Sequence, residues 1–305
     1  MEASTAGLPQ DERVKWTYLS VSQIIIRLEK SGVKVSRYHV NQMLRLRGYK
    51  KRKLLKMNEL SEVEQRNEQF EKIMIYRKQF TEMDFPILSI DTKKKEMIGN
   101  FSRAGQCYSQ AMRRANDHDF ASFSQGQIIP HGIYDLNDNT GYITLGTTKD
   151  TSEFVCDNLL RVWIRHLQYR YPKAHTMMIL CDGGGSNACS HYIVKQDLCK
   201  LSKRLNINIL MVHYPPYCSK YNPIEHRLFS QITRVWQGVP FYNIQFVKEL
   251  TDDTTTSTGL IVHSHINTKE YRIKRTVDDK FKNDFNNQII FDEKIPKWNY
   301  LIKAN

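Results

Sequence analysis

The sequence lacks the features that mark several large protein classes. Its six cysteines include no C-x-x-C pair, the spacing that is typical of zinc ribbons and zinc fingers. No charged and apolar leader opens the chain, and it has no run of about 18 apolar residues. We therefore expect a reduced, cytoplasmic protein that neither is secreted nor spans a membrane.

Negative charge is also scarce. The 305 residues include 45 Lys and Arg against 32 Asp and Glu, which gives a net charge of +13. Such an excess favours a polyanionic partner, and nucleic acid is the commonest one, although basic charge can also serve solubility alone. With 40% hydrophobic residues, the chain is long and apolar enough for two modest folded domains.

The stretch ILCDGGGSNA, residues 179–188, contains a G-x-G-x-x-A pattern that could indicate a dinucleotide-binding turn. Such a turn needs an acidic residue about 20 positions later, at the end of the next strand. Between Leu198 and Ile224, however, the chain has no Asp or Glu. A Walker phosphate loop is missing too, because no Lys with Ser or Thr follows the glycines. We predict no nucleotide cofactor, which leaves Asp182 as a carboxylate at a strand end.

The N-terminal part predicts an all-α helix-turn-helix. Residues 1–14 are expected to be a loose tail, and residues 15–55 contain two short helical patterns that are separated at Ser31-Gly32. Ser36 can cap the second helix. The predicted apolar positions are Ile24, Ile25 and Leu28 in the first helix and Val40, Met43 and Leu44 in the second.

Basic and amide side chains fall largely off this apolar stripe, and a basic run follows the second helix. Such side chains suit phosphate and base-edge contacts, so the pattern predicts DNA binding. A small helical hairpin with a solvated charged face is the alternative. The predicted DNA contacts are Arg37, Tyr38, Asn41, Gln42, Arg45, Lys50, Lys51, Arg52 and Lys53.

The remaining chain predicts an α/β domain. Residues 56–83 indicate a connecting helix, residues 84–240 a catalytic domain, and residues 241–305 a C-terminal extension of that domain. Within 84–240, three strands are followed by helix, strand, helix, strand and helix. This order is typical of a ribonuclease-H-like, retroviral-integrase-like fold, in which an antiparallel meander is extended by parallel strands through helical crossovers.

Three acids stand where this fold would bring them together. Asp91 closes the first predicted strand, Asp182 closes the fourth, and Glu225 lies in the first turn of the last helix. Mg²⁺ binds carboxylate oxygens, and two-metal phosphoryl transfer needs several such groups from separate elements. Each acid has an alternative role: a surface turn for Asp91, turn chemistry for Asp182, and a capping box begun by Asn222 for Glu225.

The neighbourhood of these acids suits a nucleic-acid backbone. The small residues beside Asp182 leave room for a bulky ligand, which gives the glycines a function without a dinucleotide. Lysines near the first and last acids are candidate phosphate contacts, although a solvated lysine face is the alternative for the first three. These lysines are Lys93, Lys94, Lys95 and Lys220.

Several sequence blocks resemble one transposase family, in the same order along the chain. They include SIDTKKKEMIGNF, LCDGGGSN, HYPPYCSKYNPIEHRLF and PKWNY. Over residues 15–305 the chain resembles DDE transposases of bacterial insertion sequences, in particular the Azo-thirteen insertion-sequence family. The catalytic region of that family is also called the Rhodopirellula-type transposase DDE domain. The block PPYCSKYNPIEH is also similar to the last-acid region of mariner-like transposases.

The resemblance implies two Mg²⁺ or Mn²⁺ ions held by the family's three acids, which correspond to Asp91, Asp182 and Glu225. It implies cleavage of element-end DNA and attack of the freed 3′-hydroxyl on target DNA. Double-stranded DNA is the expected partner, bound by a homodimer or higher oligomer that is nucleoid-associated in the cytoplasm. Two alternatives stay open: an N-terminally truncated, immobile remnant that only binds DNA, and an RNase-H-like nuclease without strand transfer.

Overall fold

The computed structural model describes residues 5–8, 11–17, 19–51, 65–116, 121–184 and 191–304. The chain divides into two compact units, Met1–Ser61 and Glu62–Asn305. None of the described helices is both long and apolar enough to cross a membrane. The cysteines in this part of the chain are free thiols.

The first unit combines a β-hairpin with two helices. Strands β1 (Thr5–Leu8) and β2 (Asp11–Thr17) pair in an antiparallel ladder. The loose tail predicted for residues 1–14 is therefore wrong, and so is the prediction of an all-α unit. The segment VKWT at the end of β2 alternates apolar and polar residues, which is the period of a strand. The small polar residues before it hid this signal.

Both predicted helices are present, as α1 (Val21–Lys30) and α2 (Arg37–Leu46). Ser20 and Gln23 form a capping box at α1, and the Ser36 hydroxyl accepts a hydrogen bond from a backbone N–H of α2. Ile24 and Val40 are buried in a small core with Leu19. The prediction for Met43 is wrong, because its side chain is 52% exposed. The small core buries the side of α2 that carries Val40 and Leu44, and it does not reach Met43.

The second unit is built around a nine-stranded mixed sheet flanked by helices. The strands are β3 (Ile87–Thr92), β4 (Glu96–Ile98), β5 (Gly126–Asp135), β6 (Thr140–Gly146), β7 (Thr176–Cys181), β8 (Asn208–His213), β9 (Ile261–Asn267), β10 (Ile289–Phe291) and β11 (Asn299–Ile302). The helices are α3 (Arg66–Glu82), α4 (Ser152–Val162), α5 (Gln168–Arg170), α6 (Tyr192–Leu205), α7 (Ser230–Trp236), α8 (Ile244–Asp252) and α9 (Asp279–Asp284). Two π-helical segments, Trp163–Leu167 and Glu225–Phe229, precede α5 and α7.

The centre of the sheet has the predicted ribonuclease-H-like arrangement. Its strands lie in the order β6, β5, β3, β7, β8. The first three form an antiparallel meander, while β7 and β8 run parallel to β3. Because β3 and β7 are parallel neighbours, their carboxyl ends meet at one end of the sheet, where open α/β sheets bind ligands.

Residues 241–305 are more than an extension, since their strands complete both sides of the sheet. Strand β9 pairs in parallel with β6, and β11 pairs antiparallel with β8. Sheet-edge strands tolerate polar and charged residues, so the mixed composition of this region gave no strand signal.

Apolar cores cover both faces of the sheet. One face packs against α4 and α6, and the other against the segment Glu225–Phe229, α7 and α8. Helix α3, predicted as a connecting helix, belongs to the second unit: Ile73 and Phe80 pack with Phe85 and Ile87 of that unit's core. In the second unit, helices therefore cover both faces of the sheet. A functional site can then form at the ends of the strands.

Candidate active site

The three predicted acids come from three elements of the second unit. Asp91 lies in β3, Asp182 follows β7 directly, and Glu225 opens the π-helical segment before α7. Glu225 acts on Asp91 through its charge and as a hydrogen-bond partner of the protonated carboxyl group, and the charge of Asp182 acts on Asp91 as well. π-Helical turns cost regular hydrogen bonding and occur often at functional sites.

This proximity changes the acid–base chemistry of the site. Burial raises the pKa of Asp91 from 3.8 to about 7, with further upward effects from Asp182 and Glu225. The backbone N–H of Thr92 donates to Asp91 Oδ1 at 2.7 Å and opposes this rise. Burial also raises the pKa of Asp182, against a hydrogen bond from the Gly184 N–H at 3.4 Å. The site therefore resists carrying all its negative charge without a counter-charge.

The donor set fits a hard divalent cation, because it consists of carboxylate oxygens whose ionised forms a cation would stabilise. Within the described ranges, no group of three or more His, Cys, Asp or Glu side chains forms a metal-binding cluster. Asp91 and Glu225 are in contact, whereas Asp182 acts on Asp91 through its charge. Asp91, Asp182 and Glu225 thus offer carboxylate ligands, but they do not by themselves form a complete coordination sphere for a cation.

A buried hydrogen-bond pair fixes Glu225 beside Asp91. The Ser89 hydroxyl donates to Asn222 Oδ1 at 2.5 Å and accepts from the backbone N–H of Ile224 at 3.1 Å. Asn222 Nδ2 donates to the backbone carbonyl of Ile90 at 3.2 Å. Both side chains are fully buried. The alternative in which Asn222 caps the last helix is therefore wrong, because its amide is bonded to β3.

Two glycines in the sheet allow this helix to lie close to β5 and β6. A Cβ atom on Gly132 would come within 2.5 Å of Phe229 Cε1, and one on Gly141 within 2.4 Å of Leu228 Cδ1. Gly132 is also the register partner of Asp91. Sequence reasoning missed these glycines and the Ser89–Asn222 pair. A glycine inside a strand pattern, which indicates close approach of another element, was the available signal.

The surroundings of Asp182 are more open. Among the described residues, a Cβ atom on Gly184 would meet Asp182 Oδ2 alone, at 3.9 Å, and the φ of Gly184 lies outside the left-handed region. The fold therefore does not require glycine at 184. Residues 185–190, which complete the glycine-rich stretch, lie outside the described residues.

The candidate lysines differ in their surroundings. The Lys93 side chain is 15% exposed, with Nζ 3.4 Å from Glu96 Oε1 and 5.3 Å from the ring centroid of Trp236. Lys94, Lys95 and Lys220 are exposed. Lys93 is therefore engaged inside the protein, while the other three are accessible to a ligand.

In the first unit, the described DNA-contact candidates all lie on the surface. Arg52 and Lys53 lie outside the described residues. The exposed candidates are Arg37, Tyr38, Asn41, Gln42, Arg45, Lys50 and Lys51.

Comparisons with known proteins agree with this architecture. The family model described as Rhodopirellula transposase DDE domain matches residues 1–304. No curated protein matches the chain. Among solved structures, the chain is similar to the Mos1 mariner paired end complex with Mn, with 18% identity, a TM-score of 0.50, and coverage of 81% of this chain and 72% of that chain. The paired end complex with Mg gives the same four values. The structural likeness shows the fold, and the family match shows that the chain belongs to the Rhodopirellula transposase DDE domain family and is an enzyme of the DDE transposase class.

Proposed function

We propose that this protein is an insertion-sequence transposase that uses Asp91, Asp182 and Glu225 to cut element-end DNA and to join the freed 3′-hydroxyl to target DNA. The observation that carries this proposal is that Asp182 and Glu225, from separate elements, both act on the buried Asp91 carboxyl, whose pKa is raised to about 7. Groups with strongly shifted pKa values concentrate at functional sites.

Asp91 and Asp182 would hold two Mg²⁺ or Mn²⁺ ions, and Glu225 would complete the site. When bound, such ions neutralise phosphate charge and activate the attacking oxygen. The protein supplies the orientation: Ser89 and Asn222 hold Glu225 against Asp91. Because Asp91 retains a proton up to about pH 7, cation binding below that pH would release it.

The charge distribution supports DNA as the substrate. Lys94 and Lys95 follow Asp91 within a few positions, and Lys220 precedes Glu225; all three are exposed. We assign phosphate contacts to them and element-end recognition to the exposed side chains of α2. Mos1 was solved as a paired end complex, which supports a homodimer or higher oligomer of this chain on DNA.

The direct test is cleavage of a duplex that carries the element end, with the full chain, in Mg²⁺. We expect the wild type to cut one strand at the element end and Asp182→Ala to lose this activity by about 1,000-fold or more. Asp253→Asn, which alters an exposed carboxylate after α8, serves as the control and should cut normally.

Unchanged cleavage by Asp182→Ala would refute the site assignment. Wild-type protein that binds the duplex but never cuts it in Mg²⁺ or Mn²⁺ would favour the DNA-binding remnant instead. Joining of a labelled 3′ end into a plasmid separates a transposase from an RNase-H-like nuclease, because only the transposase forms the joined product.

A further inference from the structure

Five basic side chains gather at the edge strand β9, in a group that we call the edge patch. The rings of His166 and His263 stack with centroids 4.9 Å apart and an interplanar angle of 19°. Tyr142 lies under both, 4.9 Å from His166 and 5.8 Å from His263. The edge patch consists of Arg161, Arg165, His166, His263 and His265.

The edge patch lies on the face of the sheet opposite to the three acids. His263 pairs with Tyr142, Tyr142 with Ile133, and Ile133 with Ile90 across the sheet. Side chains in register point to the same face, and successive residues of a strand point to opposite faces. Asp91, which follows Ile90, therefore points away from the edge patch. The two surfaces are separate.

The carboxylates around the edge patch are already engaged. Glu153 and Asp157 on α4 pair with Lys269, at 2.9 and 2.7 Å. Asp135 and Asp138, which act on the Tyr142 hydroxyl, bond to Tyr171 and Arg170 respectively. Lys248 of α8, which also faces His265, pairs with Asp252 at 2.6 Å. Across the described ranges, Arg161 and Arg165 make no ion pair.

The uncompensated positive charge affects the histidines. Burial lowers the pKa of His166, and His263, Arg161 and Arg165 lower it further. Burial lowers the pKa of His265 as well, with contributions from Arg161, Lys248 and Arg165. A bound anion would relieve this repulsion and favour the protonated forms of His166 and His265, so anion binding would take up protons and strengthen as the pH falls.

We propose that the edge patch binds the phosphate backbone of duplex DNA, away from the catalytic face. The choice of DNA rests on the proposed function, while the preference for a polyanion rests on the charge of the patch alone. Two charged guanidiniums beside stacked imidazoles suit phosphate oxygens. Arg165 and His166 also lie in the π-helical segment Trp163–Leu167, a distortion that is often found at functional sites.

The test is a fluorescence-anisotropy titration of a labelled duplex of random sequence with the full chain in EDTA, between 50 and 300 mM salt. We expect the double variant Arg161→Gln, Arg165→Gln to bind about 5- to 30-fold more weakly and to reduce the slope of log K against log salt by about 1 to 2. The double variant Lys203→Gln, Arg204→Gln, which removes the same charge from the end of α6, should change affinity by about twofold or less.

The pH arm uses His166→Gln, His265→Gln. We expect the wild type to bind about 3- to 10-fold more tightly at pH 6.0 than at pH 7.5, and this variant to lose most of the difference. Arg161→Lys, Arg165→Lys keeps the charge and should restore the salt slope, which separates charge from folding effects.

If Arg161→Gln, Arg165→Gln binds the duplex with the affinity and salt slope of the wild type, the edge patch does not bind DNA. The proposed function would be unaffected by that result. A wild type that fails to bind any duplex would overturn the proposed function, and the edge patch with it. Binding to anionic phosphatidylserine vesicles that depends on Arg161 and Arg165, with unchanged DNA binding, would replace DNA by a membrane surface and also overturn the proposal.

Discussion

The two halves of the acidic site are built differently. Glu225 acts directly on Asp91, and the elements that carry these two acids are joined by the buried hydrogen bonds of Ser89 and Asn222. Asp182 instead sits at the end of β7, and the side-chain hydrogen bond found for it among the described residues is a local one, from the Gly184 N–H. The fold therefore fixes one half before any ligand binds and leaves the other half open.

The largest expected effect is at Asp91, where removal of the carboxylate should abolish cleavage but make the folded protein more stable. Because the pKa of Asp91 is raised from 3.8 to about 7, its ionisation disfavours the folded state, and this cost grows between pH 4 and 7 and is complete above 7. Asp91→Asn should abolish cleavage yet raise the unfolding free energy of the metal-free protein at pH 8, by at most about 4 kcal/mol.

Thermal unfolding at pH 8, with and without Mg²⁺, measures this trade. Mg²⁺ should raise the Tm of the wild type and leave that of Asp91→Asn almost unchanged. If Asp91→Asn is less stable than the wild type at pH 8, the ionised Asp91 carboxylate does not destabilise the folded state.

The second effect is the loss of the fixed half through Asn222→Ala. This change leaves the Ser89 hydroxyl and the Ile90 carbonyl without their buried partner, at a cost of about 2–4 kcal/mol. Urea unfolding should show this loss, and cleavage should fall even where the variant is folded. Asn158→Ala, at an equally buried asparagine of α4, is the control and should keep its activity. Normal cleavage by Asn222→Ala would show that the hydrogen bonds of Ser89 and Asn222 do not position the catalytic acids.

Gly132→Ala tests the close packing of the same half. The added methyl would meet Phe229 and Ile224, so the helix that carries Glu225 must shift. We expect a destabilisation of about 1–3 kcal/mol in urea unfolding, with a weaker response of the Tm to Mg²⁺. An unchanged response to Mg²⁺ would mean that Glu225 does not depend on this contact.

The smallest effect on stability is expected for Gly184→Ala, in the open half. The new methyl would have space among the described residues and an allowed backbone conformation, so the unfolding free energy should change by about 0.5 kcal/mol or less. Cleavage of element-end DNA should nevertheless slow, because the methyl narrows the approach to Asp182. If cleavage and stability are both normal, the DNA does not approach Asp182 past residue 184.

The sequence predicted what local patterns encode. The order of elements predicted the ribonuclease-H-like arrangement at the centre of the sheet, although the predicted second strand forms only the short β4 beside β5, and Asp91 and Asp182 lie in β3 and directly after β7. Ser36 as a helix cap was likewise visible from local spacing. Each of these depends on residues that are close in the chain.

Long-range pairing accounts for what the sequence did not predict. Ser89 and Asn222 are 133 positions apart, so nothing local shows that the asparagine bonds to a strand rather than capping a helix. The glycines at 132 and 141 acquire their function only when a later helix packs on them. Strands β9 and β11 pair with β6 and β8, which lie far away in the chain, and this pairing outweighs their weak intrinsic signal.

Binding of Mn²⁺ to the full chain, followed by isothermal titration calorimetry with and without an element-end duplex, tests the central claim most directly. The account predicts that the wild type binds Mn²⁺ and that Asp91→Asn, Asp182→Asn and Glu225→Gln each weaken this binding by about tenfold or more. A wild type that binds no Mn²⁺ even with DNA present, or three variants that bind it as the wild type does, would contradict the assignment of these acids as the metal site.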